Sequence, residues 1–369
     1  MAAAACNNQV SVEKPIIPIA PLTSVPEFLF VTSLIESDGA TNENLLLFEK
    51  NAASCSLTLL NTYNVGPDPY DLVYHRATAT LYVANSFNGT INAFKFNTST
   101  KQLTSAGSVT QAGPTASPLP FMMAVHANGF FYAVDGNATT SSIGQFTQDQ
   151  STGVLAQMSN PNQYTTAAGR SWFVALAGNF LYVNDYSNAL IRQYSINPST
   201  GLLTALGTPT IATGNQPWSM FVHSSGNFLY TTNSGAGSVS QYSRNTTTGQ
   251  LTQIAAPLTA GATTIGLAVG TQYLYASGNN SQAIYQFAID QTTGALTALA
   301  QPSVATLRPN PYGIALSRDE QCLYAAELSG NNGNSANDEI GIYTATNGAL
   351  SRQGSISGGI GPRFFAVAY

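Results

Sequence analysis

A pair of residues, one apolar and one tyrosine, returns along this chain at an almost fixed interval. It reads Leu81-Tyr82, Phe131-Tyr132, Leu181-Tyr182, Leu229-Tyr230, Leu274-Tyr275 and Leu323-Tyr324, with successive tyrosines 50, 50, 48, 45 and 49 residues apart. Leu29-Phe30 is an earlier, degenerate copy, 52 residues before Tyr82. A unit of this size cannot bury its own apolar face, so it must stack on its neighbours, and the period decides the architecture before any other feature.

Each copy carries four short runs. An apolar segment opened by Pro or an aromatic precedes the tyrosine, as in Pro217-Trp218-Ser219-Met220-Phe221-Val222. A polar turn follows, then an alternating strand such as Ile191-Arg192-Gln193-Tyr194-Ser195-Ile196. A Thr-Gly turn opens the fourth run at Thr152-Gly153, Thr200-Gly201, Thr248-Gly249 and Thr293-Gly294, with Asn347-Gly348 a variant. Blades 1 and 2 lack this glycine, and Lys101 stands in its place in blade 2. Period-2 alternation with β-branched and aromatic residues, cut by turns at short intervals, specifies strands. Four antiparallel strands per unit and seven units predict an all-β, seven-bladed β-propeller.

The first copy lacks its opening strand, and the chain ends in Pro362-Arg363-Phe364-Phe365-Ala366-Val367-Ala368-Tyr369, which matches the missing run. The C-terminal strand is therefore expected to complete blade 1, leaving no long open edge. Residues 27–369 read as one domain. Residues 1–26, punctuated by Pro15, Pro18, Pro21 and Pro26, read as a leader remnant and linker.

Composition narrows the partners. Only 8% of residues are charged, against about 25% in an average soluble domain. Twelve Lys and Arg against 17 Asp and Glu leave no basic footprint for nucleic acid. No apolar run approaches the ~18 residues of a membrane span. Ala3-Ala4-Ala5-Cys6 resembles the lipobox of bacterial lipoproteins, so Cys6 is a candidate lipid anchor, and the expected location is extracytoplasmic: periplasmic or tethered to the outer membrane. Three cysteines are too few for a disulfide framework, and Cys55 and Cys322 are expected as buried thiols in strands.

Leu81-Tyr82-Val83-Ala84-Asn85, the Ile-x-x-Tyr third strand and the Thr-Gly-x-Leu turn together resemble the seven-bladed lactonase-type propellers, which include 6-phosphogluconolactonases and carboxymuconate-lactonizing enzymes. The resemblance covers about residues 27–369 and implies a lactone hydrolase. Members often show Pro-Arg-His opening a blade and Asn-Glu-Leu closing its second strand. Here blade 7 has Pro311-Tyr312-Gly313 and Ala326-Glu327-Leu328, and Pro362-Arg363 is followed by Phe364 where His is expected. There is no HExxH, Walker loop or Gly-x-Ser-x-Gly elbow.

Three residues past the repeat tyrosines stand Asn85, Asp135, Asp185, Asn233, Gly278 and Glu327. Asp135, Asp185 and Glu327 are the candidate acid/base residues, placed at the channel mouth, where one carboxylate can activate water against an ester carbonyl. Arg170, Arg308 and Arg363 come from loops before the first strands and suit an anionic ligand, with Asn85 and Asn233 beside them. Asp and Asn at strand ends also hydrogen-bond their own turns, which is the competing role. Tyr70, Phe121, Trp172, Trp218, Tyr312 and Phe364 form a ring of aromatics, fit either to stack on a sugar or peptide or to wedge between blades. His75, His126 and His223 share one repeat position on the opposite face and are expected in turns. Residues 329–339 offer the oxygen ligands Ca²⁺ takes, but without EF-hand spacing, so no cofactor is assigned. Two functions follow. One is an extracytoplasmic propeller that binds a small molecule or a protein at the channel mouth. The alternative is a 6-phosphogluconolactonase-like hydrolase.

Overall fold

A computed structural model describes residues 26–33, 45–111, 119–136, 141–158, 164–165, 170–330 and 337–369. Seven antiparallel sheets form the blades, each with strands A to D from the channel outward. Blade 4 is representative: Val174–Ala177, Phe180–Asp185, Leu190–Ile196 and Leu203–Ala212. The A strands of neighbouring blades touch in turn around the whole ring, so the channel is walled by one strand per blade. In blade 3 the outer strand is split into Leu155–Gln157 and Tyr164–Thr165, both paired with Ser142–Gln148. Blade 1 is closed as the sequence predicts. Pro362–Ala368 pairs with Glu27–Ser33, bringing Ala368 opposite Phe28, and Leu45–Lys50 and Leu57–Tyr63 complete the sheet.

The two repeat signals turn out to be the ends of one interaction. Five of the fully buried B-strand tyrosines donate their hydroxyls to the turn-glycine carbonyl of the next blade. The pairs are Tyr82 to Gly153, Tyr132 to Gly201, Tyr182 to Gly249, Tyr230 to Gly294 and Tyr275 to Gly348, all at 2.5–2.9 Å. Glycine is required there twice over. Gly249 has φ +75°, and a Cβ on it would lie 2.1 Å from the Phe180 ring of the preceding blade. A second bond runs beside the first: Gln193 Oε1 accepts from Leu251 N and Gln241 Oε1 from Leu296 N, each at 2.8 Å.

The blade 1–2 junction lacks both signals and is held differently. Phe30 has no hydroxyl and packs edge-on against Phe96, with centroids 5.0 Å apart. Lys101, at the glycine position with φ +58°, reaches Glu49 of blade 1 at 2.7 Å. Removing one tyrosine hydroxyl therefore isolates the value of the repeat. Tyr182→Phe strands the Gly249 carbonyl in a dry interface and is expected to cost about 1–2 kcal/mol in urea unfolding, with an unchanged slope. An unchanged midpoint would show the bond contributes nothing net.

At the seam between blades 7 and 1 the expectation for cysteine is overturned. Cys55 lies in the turn between strands C and D of blade 1, and Cys322 opens strand B of blade 7. They form a disulfide with Cα atoms 5.4 Å apart across 267 positions. Buried thiols were expected because no local pattern brings these positions together; ring closure does. Beside the bond, Tyr324 donates to the Cys55 carbonyl at 3.1 Å and Lys50 pairs with Asp319 at 3.1 Å. Tyr369, the last residue, lies between the Arg76 and Arg318 guanidinium groups, 4.4 and 4.1 Å from its ring centre.

Candidate functional site at the channel mouth

Strand A begins at proline in most blades, and proline has no N–H to continue the ladder. A bulge follows. Between the pairs Pro217–Asn233 and Met220–Thr231, Trp218 and Ser219 stand opposite the single residue Thr232. The same shift places Tyr312 and Gly313 opposite Ala326, and Phe121 and Met122 opposite Val134. Polar B-strand residues collect the freed backbone groups. Asn184 Oδ1 accepts from Trp172 N and Phe173 N at 2.9 and 2.7 Å, and Thr232 Oγ1 accepts from Ser219 N at 3.0 Å.

The bulges aim the aromatic ring residues at the channel axis, where they meet across it. Trp172 stacks on Trp218 at 5.1 Å, Phe121 meets Trp172 at 4.7 Å and Tyr70 at 4.4 Å, and Phe364 lies 5.3 Å from Tyr70 and 5.6 Å from Tyr312. They are thus one cluster closing the channel mouth, and not separate wedges between blades. The register corrects one position. In blade 1 the bulged pair facing Thr32 is Arg363 and Phe364, so Arg363 holds the place of Trp218 and Tyr312, and Phe364 stands one residue deeper. The Arg363 guanidinium lies 5.7 Å from the Tyr70 ring centre and 5.4 Å from that of Tyr312. Arg170 lies 6.0 Å from the Trp172 ring. Burial, reinforced by Tyr312, pushes the Tyr70 hydroxyl well above the usual tyrosine range, so it remains a neutral donor.

The three candidate carboxylates are fully buried and engaged. Glu327 Oε1 accepts from the Tyr343 hydroxyl at 2.5 Å, while Oε2 accepts from Leu307 N at 3.0 Å and pairs with Arg352 at 3.3 Å. Burial and then the Glu327 charge push the Tyr343 hydroxyl far up, which keeps it a donor. Asp185 Oδ2 takes Arg192 at 2.6 Å, and its Oδ1 caps Asn188 N at 3.0 Å. Asp135 accepts from Leu119 N at 3.1 Å and Ser142 Oγ at 3.4 Å. Leu119, Asn188 and Leu307 belong to a B–C turn or to loops before strand A, the local role that strand-end Asp and Asn commonly take, while Ser142, Arg192, Tyr343 and Arg352 stand on strands C and D of the same blades. Asn85 and Asn233 are likewise buried, donating to Thr90 Oγ1 at 3.3 Å and to Ser240 Oγ at 2.9 Å. Arg308 is paired with Glu339 at 3.3 Å. The structure therefore gathers Trp172, Trp218, Tyr312, Arg363 and Arg170, and leaves the three carboxylates buried among partners of their own.

Beside Trp218 and Tyr312 lies a cleft of about 720 Å³ between the loops of blades 4 to 7. Tyr186, Trp218 and Tyr312 supply its aromatic wall, and Gln216, Thr263 and Asn279 its polar groups. No charged side chain lines it. Tyr186 was not singled out in the sequence; its signal is an aromatic directly after the strand-closing Asp185. The histidines are buried on the opposite face, where each bonds the following blade: His75 to Gln148, His126 to Asn179, and His223 to the Thr271 carbonyl. Part of the 329–339 loop, residues 331–336, lies outside the described residues, as does Cys6. Asp338 accepts from Ser329 N at 2.7 Å and Gly361 N at 3.0 Å. Among the described residues no three His, Cys, Asp or Glu side chains converge as metal ligands, and no helix is long and apolar enough to cross a membrane.

The family model described as "Lactonase, 7-bladed beta-propeller" matches residues 140–269 and 207–310. Among curated proteins none matches the chain. Similar solved structures include a candidate 6-phosphogluconolactonase from Bacteroides fragilis (17% identity, 95% of this chain and 100% of that one, TM-score 0.76). The periplasmic gluconolactonase of Pseudomonas aeruginosa is similar to the same degree, at 17% identity over 94% of this chain and 99% of that one, TM-score 0.76. At such identities the solved structures establish the fold, a seven-bladed β-propeller, and over residues 140–310 the chain is similar to the lactonase family of such propellers.

Proposed function

We propose that this chain is an extracytoplasmic binding propeller that takes a saccharide at its channel mouth. The observation that carries this reading is the separation of parts: an aromatic wall borders an open, uncharged cleft, while every candidate carboxylate is buried among its own partners. Flat aromatic faces with amides and hydroxyls around them suit the apolar faces and hydroxyl edges of a sugar. Arg170 and Arg363 have no carboxylate partner among the described residues. Both rest on the aromatic cluster, which favours a sugar acid over a neutral sugar. The Cys55–Cys322 bond supports an oxidising compartment, and Cys6 is the anchor in this reading.

Calorimetric titration with galacturonate oligomers and neutral cello-oligosaccharides tests it. The acidic series is expected to bind more tightly, Trp218→Ala to weaken both at least about tenfold, and Arg363→Gln to erase the preference. If neither series binds, the reading is lost. The family match favours a second reading, lactone hydrolysis, which requires a carboxylate or ordered water within reach of the cleft. Acid release from a panel of sugar lactones decides it: turnover above buffer by the wild type would replace the binding reading.

A further inference from the structure

Beneath the aromatic cluster the seven A strands enclose a separate cavity of about 300 Å³, at the lower limit of small-ligand sites. Its walls are apolar, with Met122, Phe173, Met220 and Phe364 among them, and Ser219 supplies the one side-chain hydroxyl. The lining continues to Phe221 and Val222 at the far end of strand A, and Phe221 is 41% exposed, so the cavity reaches the face opposite the aromatic cluster. One titratable side chain lines it, Asp71.

Asp71 is 7% exposed, and its Oδ2 accepts from Met123 N of the neighbouring blade at 2.8 Å. Among the described residues, backbone N–H groups are its stabilising partners and no basic side chain pairs with it. The titratable groups around it are accounted for elsewhere. Tyr70 and Tyr312 share the cluster above, Arg363 lies over their two rings, and Tyr82 on the adjacent strand is committed to Gly153. A carboxylate in an apolar cavity without a cation is costly, and the described residues supply none. Burial raises its pKa to about 8, so near neutrality it holds its proton.

We propose that this channel cavity is a second binding site, for a small amine with an apolar body whose ammonium pairs with Asp71. The apolar walls take the body, and the ammonium provides the missing countercharge. Binding at neutral pH then releases the Asp71 proton to solvent. Apparent affinity rises about tenfold per pH unit while Asp71 is protonated, and levels off above its pKa.

Isothermal titration with phenethylamine and with its neutral counterpart 2-phenylethanol, at pH 6 and pH 8, tests this on the whole protein. The amine is expected to bind saturably and at least twentyfold more tightly at pH 8. The alcohol is expected to show no such change, and Asp71→Asn to abolish the pH dependence while weakening the amine at least tenfold. The comparison of amine with alcohol, and of one pH with the other, is made on the wild type and stands if the variant folds poorly. No saturable amine binding at millimolar concentration, equal binding of both compounds, or amine affinity independent of pH would each overturn the proposal.

Discussion

Reduction of the Cys55–Cys322 bond is expected to remove about 2–5 kcal/mol of stability and lower the melting temperature by several degrees. The expectation rests on where the bond lies. A propeller closes only when its last strand finds its first blade, and here Pro362–Ala368 must pair with Glu27–Ser33 after the whole ring has been traversed. The disulfide joins blade 1 to blade 7 at that seam and encloses 267 positions, so it removes from the unfolded chain much of the freedom that closure would otherwise cost. The neighbouring contacts are modest substitutes: the Tyr324 hydroxyl on the Cys55 carbonyl and the half-buried Lys50–Asp319 pair. Calorimetry with and without reductant, and on the Cys55→Ser/Cys322→Ser double variant, measures it. Equal melting of oxidised and reduced protein would mean the hydrogen-bonded strand alone secures the seam.

The ring was legible because its determinants are local and repeated. Tyrosine and Thr-Gly recur at one spacing since each tyrosine must reach one glycine carbonyl, and where Phe30 breaks the first signal, Lys101 breaks the second. The closing strand was legible for the same reason. The disulfide was not: Cys55 takes the turn-glycine position of blade 1 and Cys322 stands two residues before the repeat Tyr324, and only ring closure brings these two positions side by side. The aromatic ring was read to within one residue. In blade 1 the residue directly after the proline is Arg363, which takes the place the aromatic holds after Pro120, Pro217 and Pro311, and Phe364 stands one residue deeper. The carboxylates stand at or next to the ends of their B strands and are fully buried there. Three residues past the tyrosine is where a B–C turn folds back, so Asp135, Asp185 and Glu327 are covered by the turns and loops they secure. Asp71 escaped attention because nothing in Pro69-Tyr70-Asp71-Leu72 distinguishes a channel residue from a surface one.

Asp71 makes the fold itself sensitive to base. Its carboxyl titrates near 8 in the folded protein, against an ordinary 3.8, because burial penalises the charged form more than the backbone N–H groups of Met123 and Leu72 relieve it. Between those two values the folded chain binds more protons than the unfolded one, so stability is fully present below about pH 4 and is lost as pH rises toward 8. The part of this window above pH 6.5 is the cleanest to measure. Burial and the nearby Lys95 charge lower the pKa of His75, which confines its own titration to the acid side. From pH 6.5 to 9 the wild type is expected to lose about 2 kcal/mol in urea unfolding. Asp71→Asn keeps an acceptor for Met123 N without a charge, and its stability should be flat over the same range, so the two proteins diverge as pH rises. Parallel curves would show that Asp71 is already ionised in the folded state near neutrality. Because a bound ammonium stabilises the ionised carboxyl, saturating phenethylamine should also reduce the wild-type loss, tying the pH dependence of folding to occupancy of the channel by a cation.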